Sequence, residues 1–371
     1  MKSRGKFAFL YSLFFLIVVF ISGCTSTVDA SALEVQIESL SIPILLKEEE
    51  QISVLDINED LILVQTFHSY KEGESEFRET GYNEKTHTLG LWNWNEEKFE
   101  WEWNFSTLEG YCTNAIILDT DTIVYTLIVP YADEDGYSYR VLKHEIKSGS
   151  EFEITIGSCY GTGYDDPRLV ALGEGSFVYS YAPQEDNRFG IMLVDCENNI
   201  KPILELEEDG TTEHLRSTLS KGGDTCIYYA AVKGKGTIYQ IDCQGVVGSF
   251  SIPSNERVYD FCPWGENILF TMQCIDGEQT IERILVKDIY GNNITMLNYE
   301  PLYRLCSNGN NIAVGINKNW NPNLIYELNG ELKIETLALP ERVLHFYSSN
   351  DHLFFASLYD ETKRSLFLIS V

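Results

Sequence analysis

The sequence predicts an all-β chain folded as a seven-bladed β-propeller whose ring is closed by its N-terminal strand. Three observations predict it. A polar turn followed by an apolar strand recurs seven times, a tight Gly- or Asn-containing turn recurs at a later offset, and the last unit lacks a strand that is found at the other end of the chain.

The first repeat reads Asn58-Glu-Asp-Leu-Ile62, Asp119-Thr-Asp-Thr-Ile123, Gly173-Glu-Gly-Ser-Phe177, Gly222-Gly-Asp-Thr-Cys226, Trp264-Gly-Glu-Asn-Ile268, Asn308-Gly-Asn-Asn-Ile312 and Ser349-Asn-Asp-His-Leu353. The anchors 62, 123, 177, 226, 268, 312 and 353 are separated by 61, 54, 49, 42, 44 and 41 residues. A four-stranded propeller blade takes about 40–45 residues, so the later intervals match and the early ones carry loop insertions. Seven anchors give seven blades; six or eight follow if the stretched first half is counted differently. Long amphipathic helical patterns are absent from the sequence.

The second repeat pairs Ser251-Ile-Pro253 and Glu256-Arg-Val-Tyr-Asp-Phe261 with Ala338-Leu-Pro340 and Glu341-Arg-Val-Leu-His-Phe346. A fourth strand ends near the Pro and the next first strand begins near the Val. The third repeat is Asp195-Cys-Glu-Asn-Asn199, Asp242-Cys-Gln-Gly245, Asp288-Ile-Tyr-Gly291 and Glu327-Leu-Asn-Gly330. These suit the turn between third and fourth strands, because Gly and Asn accept the positive φ that hairpins require.

Closure follows from the two ends. Ser365 to Val371 reads as a third strand, while Glu34-Val-Gln-Ile-Glu-Ser-Leu-Ser-Ile-Pro43 matches Glu331-Leu-Lys-Ile-Glu-Thr-Leu-Ala-Leu-Pro340 position by position. The latter is a fourth strand, so the N-terminal segment is expected to complete the last blade and remove an exposed edge. Over residues 33–371 the pattern resembles bacterial β-propellers of the TolB or WD40-like kind. The Gly-His and Trp-Asp signatures of WD40 repeats and the Asp-box of sialidases are missing, so the resemblance implies architecture only.

The N-terminus carries a different signal. Lys2, Arg4 and Lys6 precede an uncharged run from Phe7 to Phe20. That run falls short of the roughly 20 residues needed to span a bilayer, and a basic start before a short apolar core reads as an export signal. Ile21-Ser-Gly-Cys24 then resembles the lipobox of bacterial lipoproteins. The resemblance implies cleavage before Cys24 and acylation of its thiol, palmitate included; the alternative is an ordinary secretory signal with a chance Cys. The expected organisation is a signal peptide over 1–23, a lipidated Cys and small polar tether over 24–32, and the propeller over 33–371. The expected location is the extracytoplasmic face of the cell membrane, held by the lipid anchor.

Composition limits the partners. Hydrophobic residues make up 44% and aromatics 13% of the chain, which argues against disorder. The formal charge is −29, and losing the three basic residues of the signal makes it −32. Such acidity argues against nucleic acid as a partner and leaves an unknown protein, peptide or glycan ligand. Of nine cysteines, Cys24 is assigned to lipid, and no Cys-x-x-Cys occurs. Cys262 and Cys306 each lie six residues before an anchor, where other units hold Ala171, Ser220 or Ile117, which suggests a small buried slot. Export permits disulfides among the others.

Ligands of propellers usually meet the face built from the second-to-third and blade-to-blade loops. Four such loops carry the candidate binding residues: His68 and Tyr70 in 67–88, Tyr131, Asp133 and Asp135 in 131–137, Tyr160, Tyr164, Asp165 and Asp166 in 159–166, and His214 in 207–214. Asp133-Glu-Asp-Gly136 resembles the start of a calcium loop, although the closing bidentate acid is absent; calcium is the one cofactor weighed, and no metal site is assigned. Asp165 and Asp166 could serve acid–base chemistry given a partner across the site; a plain turn is the alternative, and no catalytic residue is assigned. No Gly-x-Ser-x-Gly elbow is present, which argues against a peptidase. In Trp92 to Trp103, alternation puts Phe99, Trp101 and Trp103 on one face of a strand, either packed between blades or offered as a stacking platform for sugars. The expected function is binding or scaffolding, with an enzyme of glycans or wall polymers as the competing class.

Overall fold

The computed structural model describes residues 35–40, 42, 50–68, 86–106, 111–130, 137–159, 167–181, 188–207, 218–222, 225–232, 235–277, 279–307, 311–339, 342–350, 353–358 and 366–371. They form 28 strands in seven four-stranded antiparallel sheets, and no helix occurs among them. The chain is a seven-bladed β-propeller.

β1 (Gln36–Leu40) comes first. Blade 1 is β2 (Glu50–Asn58), β3 (Leu61–His68), β4 (Thr86–Asn93) and β5 (Lys98–Ser106). Blade 2 is β6 (Tyr111–Asp119), β7 (Thr122–Pro130), β8 (Tyr137–Glu145) and β9 (Ser150–Cys159). Blade 3 is β10 (Leu169–Ala171), β11 (Phe177–Tyr181), β12 (Arg188–Val194) and β13 (Ile200–Glu207). Blade 4 is β14 (Thr218–Gly222), β15 (Thr225–Val232), β16 (Lys235–Asp242) and β17 (Gly245–Ser251). Blade 5 is β18 (Glu256–Trp264), β19 (Asn267–Asp276), β20 (Gln279–Lys287) and β21 (Asn293–Asn298). Blade 6 is β22 (Leu302–Ser307), β23 (Ile312–Asn317), β24 (Pro322–Leu328) and β25 (Glu331–Thr336). Blade 7 is β26 (Val343–Asn350), β27 (Leu353–Leu358) and β28 (Leu366–Ser370), completed by β1.

All seven anchors fall on the first or second residue of a second strand, and β1 pairs with β28 from Gln36↔Ser370 to Leu40↔Leu366. The ring also closes at its centre. The first strands touch in the cycle β2, β6, β10, β14, β18, β22, β26 and back to β2.

The apolar runs explain why blades stack. Leu61 and Leu63 face blade 2, packing with Ile117, Ile123, Tyr125 and Leu127. Ile62 and Val64, one residue out of phase, face blade 7 and pack with Phe355, Leu366 and Leu368. A strand buried on both faces reads as an unbroken apolar run. Each such side chain contributes about 1.5–3 kcal/mol when fully buried, and Ile62, Leu63 and Val64 are all 0% exposed.

The third-to-fourth turns are made by their first residue. Asp288 Oδ1 accepts from the backbone N–H of Tyr290 (2.9 Å) and Asn292 (2.8 Å), and Oδ2 accepts from Asn292 Nδ2 at 2.8 Å. Asp195 repeats the pattern with Glu197 and Asn199. Each of the four turns holds a residue of positive φ: Asn198, Gly245, Gly291 and Asn329. At Gly291 (φ +87°) a Cβ would also meet the Phe250 ring at 2.8 Å, so the position needs glycine twice over.

Hydrogen bonds from Asn292 and Asn199 hold the carboxyls of Asp288 and Asp195 below their ordinary range. A depressed folded-state value contributes stability above the unfolded carboxylate pKa of about 3.9 and loses it as pH falls through the lower folded value. The melting-temperature gap between the parent chain and Asp288→Ala is therefore expected to be open at pH 7 and to narrow below about pH 4; a gap constant from pH 7 to 3 contradicts the assignment.

The aromatic hairpin corrects one expectation. Leu91 pairs with Trp101 but Trp92 pairs with Phe99, so a bulge lies between them. The extra residue turns Phe99 to the other face. It joins Val64, Trp92 and Phe355, while Trp101 and Trp103 pack with blade 2. Trp103 stacks on Phe105 at 4.7 Å and meets Tyr125 at 5.6 Å, and Trp101 lies 5.0 Å from the His144 ring. These rings are inter-blade packing, not a sugar platform. Trp103→Ala is expected to lower stability by about 2–3 kcal/mol, below the ~3–5 kcal/mol of a fully buried aromatic, as read by urea denaturation; a change under about 0.5 kcal/mol would contradict the packing role.

Cys112, Cys196, Cys226, Cys243, Cys262, Cys274 and Cys306 are free thiols. Cys262 is fully buried and Cys306 half-buried at the centre of the ring. Burial pushes the Cys306 thiol up to about 12 and raises that of Cys262 well above its ordinary value, so both are inert packing groups.

Candidate binding site at the mouth of the central axis

Most of the sequence-derived candidates, Tyr70, Tyr131, Asp133, Asp135, Tyr160, Tyr164, Asp165, Asp166 and His214, lie outside the described residues, as does Cys24. His68 is the last residue of β3, and only its backbone is described. The strands flanking these loops end on one face, because second-to-third and fourth-to-first connections share it in an up-and-down blade.

A second set of residues lies along the first strands, which start from that face. Five first strands carry a bulge, and pairing resumes at Asp56, Asn114, Asp260, Cys306 and His345. A bulge re-aims the side chain beside it, and several of these reach the neighbouring blade. Asp56 Oδ1 accepts from its own neighbour Ile57 N–H (2.9 Å), and Oδ2 accepts from Ile117 N–H in blade 2 (2.8 Å). Asp260 does the same with Phe261 (2.8 Å) and Leu305 of blade 6 (3.0 Å). Asn114 Nδ2 donates to Pro167 O at 3.5 Å, and the Tyr347 hydroxyl donates to Val54 O at 2.7 Å, which ties blade 7 to blade 1.

One sector of this inner ring differs from the rest. Eight residues before the anchors the chain carries Val54, Ala115, Leu169, Thr218, Asp260, Arg304 and His345. Val54, Ala115 and Leu169 are buried, whereas Arg304 and His345 are exposed and Asp260 is half-buried. Blades 5, 6 and 7 therefore place an acid, a base and an imidazole in sequence near the mouth. Aromatic rings surround them. Tyr259 meets Tyr303 edge-on at 5.8 Å, His345 lies 6.4 Å from Tyr347, and the Arg304 guanidinium sits 5.2 Å above the Trp320 ring.

Arg304 and Trp320 both hold left-handed backbone, with φ of 54° and 65°. For a non-glycine residue this costs on the order of 1–3 kcal/mol and persists where the surroundings enforce it. They do so here. Leu305 N–H is held by Asp260, and Tyr303 leans on Tyr259. The Trp320 turn is set by Asn317, whose Oδ1 accepts from Asn319 and Asn321 N–H at 3.0 Å each. Asn317 Nδ2 in turn donates to Glu300 at 3.0 Å. Burial lowers the Arg304 pKa, with Tyr347 and Asp260 opposing; a guanidinium stays protonated regardless. Among the described residues no group of three or more His, Cys, Asp or Glu could hold a metal ion.

Sequence reasoning passed over this sector, because Asp260 and His345 served there only to align two repeats. The signal was present: three of the seven positions that lie eight residues before an anchor carry ionisable side chains where the early blades carry Val, Ala and Leu.

Comparison with known proteins agrees on architecture. No protein-family profile matches the chain, and no curated protein matches it. Among solved structures it is similar to Kuenenia stuttgartiensis hydrazine synthase, at 10% identity and TM-score 0.52 over 86% of this chain and 95% of that one. The Myceliophteria thermophila Cps50 (Swd1) β-propeller domain matches at 13% identity and TM-score 0.50, over 91% and 100%. Pyrococcus horikoshii acylaminoacyl peptidase matches at 15% identity and TM-score 0.50, over 71% of this chain but only 45% of that protein. The chain thus spans just under half the length of the peptidase it resembles. At these identities the likeness is one of fold.

Proposed function

We propose that this protein is a lipid-anchored extracytoplasmic propeller that binds a protein, peptide or glycan partner at the face where its second-to-third and blade-to-blade connections meet. One observation carries the binding reading: a closed ring holds Asp260, Arg304 and His345, with the four aromatic rings of Tyr259, Tyr303, Trp320 and Tyr347, toward the mouth of its axis. Binding groups grouped on a stiff scaffold are the usual construction of a recognition site. The competing enzymatic reading gains nothing from the described carboxylates at the axis. Both oxygens of Asp56 and of Asp260 accept backbone N–H groups, a structural use. The one peptidase noted above is a longer protein, and Gly-x-Ser-x-Gly does not occur in these 371 residues.

The anchor rests on the basic start, the short apolar run and Ile21-Ser-Gly-Cys24. Two or more acyl chains give stable attachment where one is marginal. Cys24→Ala is expected to leave the melting temperature unchanged and move the protein from the membrane pellet to the supernatant; a variant that still pellets refutes the anchor. Binding is tested by a thermal-shift screen against calcium, wall glycans and peptides, since a ligand of the folded state raises its melting temperature. A shift with one class supports the reading, and no shift with any of them argues against it.

A further inference from the structure

We infer that two copies of this chain associate through the outer edge of blade 5, β21 of one pairing antiparallel with β21 of the other about a two-fold axis. The inference concerns the rim of the ring and is independent of the binding reading at the axis. β21 ends its sheet, with β20 on its inner side and no strand beyond it among the described residues. An unpaired edge presents a row of N–H and C=O groups to any strand that arrives, and proteins blunt such edges with charge. Five of the seven outer strands follow that rule: β5 carries Glu102, β9 Glu153, β13 Glu205, β25 Glu335 and β1 Glu38. β17 and β21 hold no charged residue. Of these two, β17 exposes Ser249 and Ser251 beyond its bulge, which offer little to bury. β21 exposes Ile294 and Met296, at 54% and 48%, and the turn leading into it exposes Tyr290 at 77%.

Exposure alternates along β21, so Ile294 and Met296 share its open side, while Leu297 packs against the cluster that holds Leu332 of blade 6. Opposite residues of an antiparallel pair point to the same side of a sheet, and a two-fold axis perpendicular to that sheet keeps each side where it is. With the axis at Thr295, Ile294 of each copy lies opposite Met296 of the other, and the four side chains make one apolar cluster. Blade 5 and its copy then form a continuous eight-stranded sheet.

Charge decides the occupant. A basic partner is drawn to the acidic outer strands of blades 1, 2 and 3 in preference to a neutral one. A second copy carries the same −29 and is repelled at those edges, so an uncharged edge is where it can approach. Charges more than about 8 Å away are largely screened at physiological salt. The three exposed side chains of each copy and the paired backbone bury roughly 1,000 Å² in all, the size of a weak, reversible association.

The test is sedimentation of the full chain in mild detergent over about a hundredfold range of concentration, with hydrogen exchange measured across the same range. The chain is expected to pass reversibly from monomer to dimer. Exchange in residues 293–298 is expected to slow as it does, while residues 245–251 of β17 keep their rate. Met296→Lys is expected to weaken the dimer by about tenfold or more at an unchanged melting temperature. The added lysine lowers the net negative charge, so general repulsion between copies cannot produce that loss. Val247→Lys in β17, where the side chain is 51% exposed, makes the same change of charge and should dimerise like the parent. If Met296→Lys fails to fold, Ile294→Lys on the same side of β21 decides. A monomer at every concentration, a dimer whose 293–298 amides exchange as fast as the monomer's, or a dimer that the β21 and β17 substitutions affect alike overturns the assignment. Protection of 293–298 by an added peptide of residues 292–298, with the chain itself monomeric throughout, overturns it too and assigns the edge to a strand from a different protein.

Discussion

A chain that begins at Ser41, and so lacks β1, is expected to be less stable by on the order of 3–6 kcal/mol than one that begins at Leu33. The pairing of β1 with β28 runs over five residues from Gln36 to Leu40. A backbone hydrogen bond contributes about 0.5–1.5 kcal/mol net, and four or five are lost together. The side chains of β1 itself are mostly exposed, so its contribution lies in the ladder and in what it covers. Its removal uncovers Leu366, Leu368 and Ile369, which are 1%, 7% and 0% exposed, beside an unpaired edge. An open apolar edge templates pairing with other chains. The shortened chain is therefore expected to unfold at a lower temperature and to form higher oligomers on size-exclusion chromatography. A peptide spanning residues 34–43 is expected to restore both properties in trans. Equal melting temperatures for the two chains would mean that ring closure does not depend on this strand.

The second large effect is expected at the axis. Asp56→Ala and Asp260→Ala each remove a carboxylate that accepts one N–H in its own blade and one in the next. Stranding a buried donor costs about 1–3 kcal/mol; these are partly buried, so each substitution is expected to cost about 2–4 kcal/mol in urea denaturation. The Asn variants retain one acceptor oxygen and should lose roughly half as much. Asp276, exposed at the end of β19, provides the control, and its replacement by Ala should fall within about 0.5 kcal/mol of the parent. Losses at Asp56 and Asp260 no larger than at Asp276 would show that the bonds between first strands contribute nothing beyond packing.

These two effects differ in how visible they were beforehand. The strand that closes the ring could be read directly, because residues 34–43 and 331–340 share a pattern that survives without coordinates. The axial carboxylates could not. Asp56 and Ile117 are 61 residues apart, and Asp260 and Leu305 are 45 apart. Only the stacked ring brings them within reach, and only the bulges before Asp56 and Asp260 turn their side chains toward the next blade. The loop residues named as binding candidates follow from topology and composition. The Arg304 sector required knowing which inner positions face the axis and which are packed.

What the amino-acid order by itself determined is the seven recurring first-to-second turns, four of the third-to-fourth turns and the strand that closes the ring. These depend on short-range chemistry: apolar runs of strand length, Asp that caps its own turn, and Gly or Asn where φ is positive. What only the tertiary structure decided is the direction of individual side chains. A one-residue bulge inverts every face beyond it. That inversion moved Phe99 away from Trp101 and Trp103, and comparable bulges aimed Asp56 and Asp260 across the ring. Arg304 met Trp320 for a related reason, because an extra residue in β22 and a tight turn after β23 bring together side chains that no local pattern pairs.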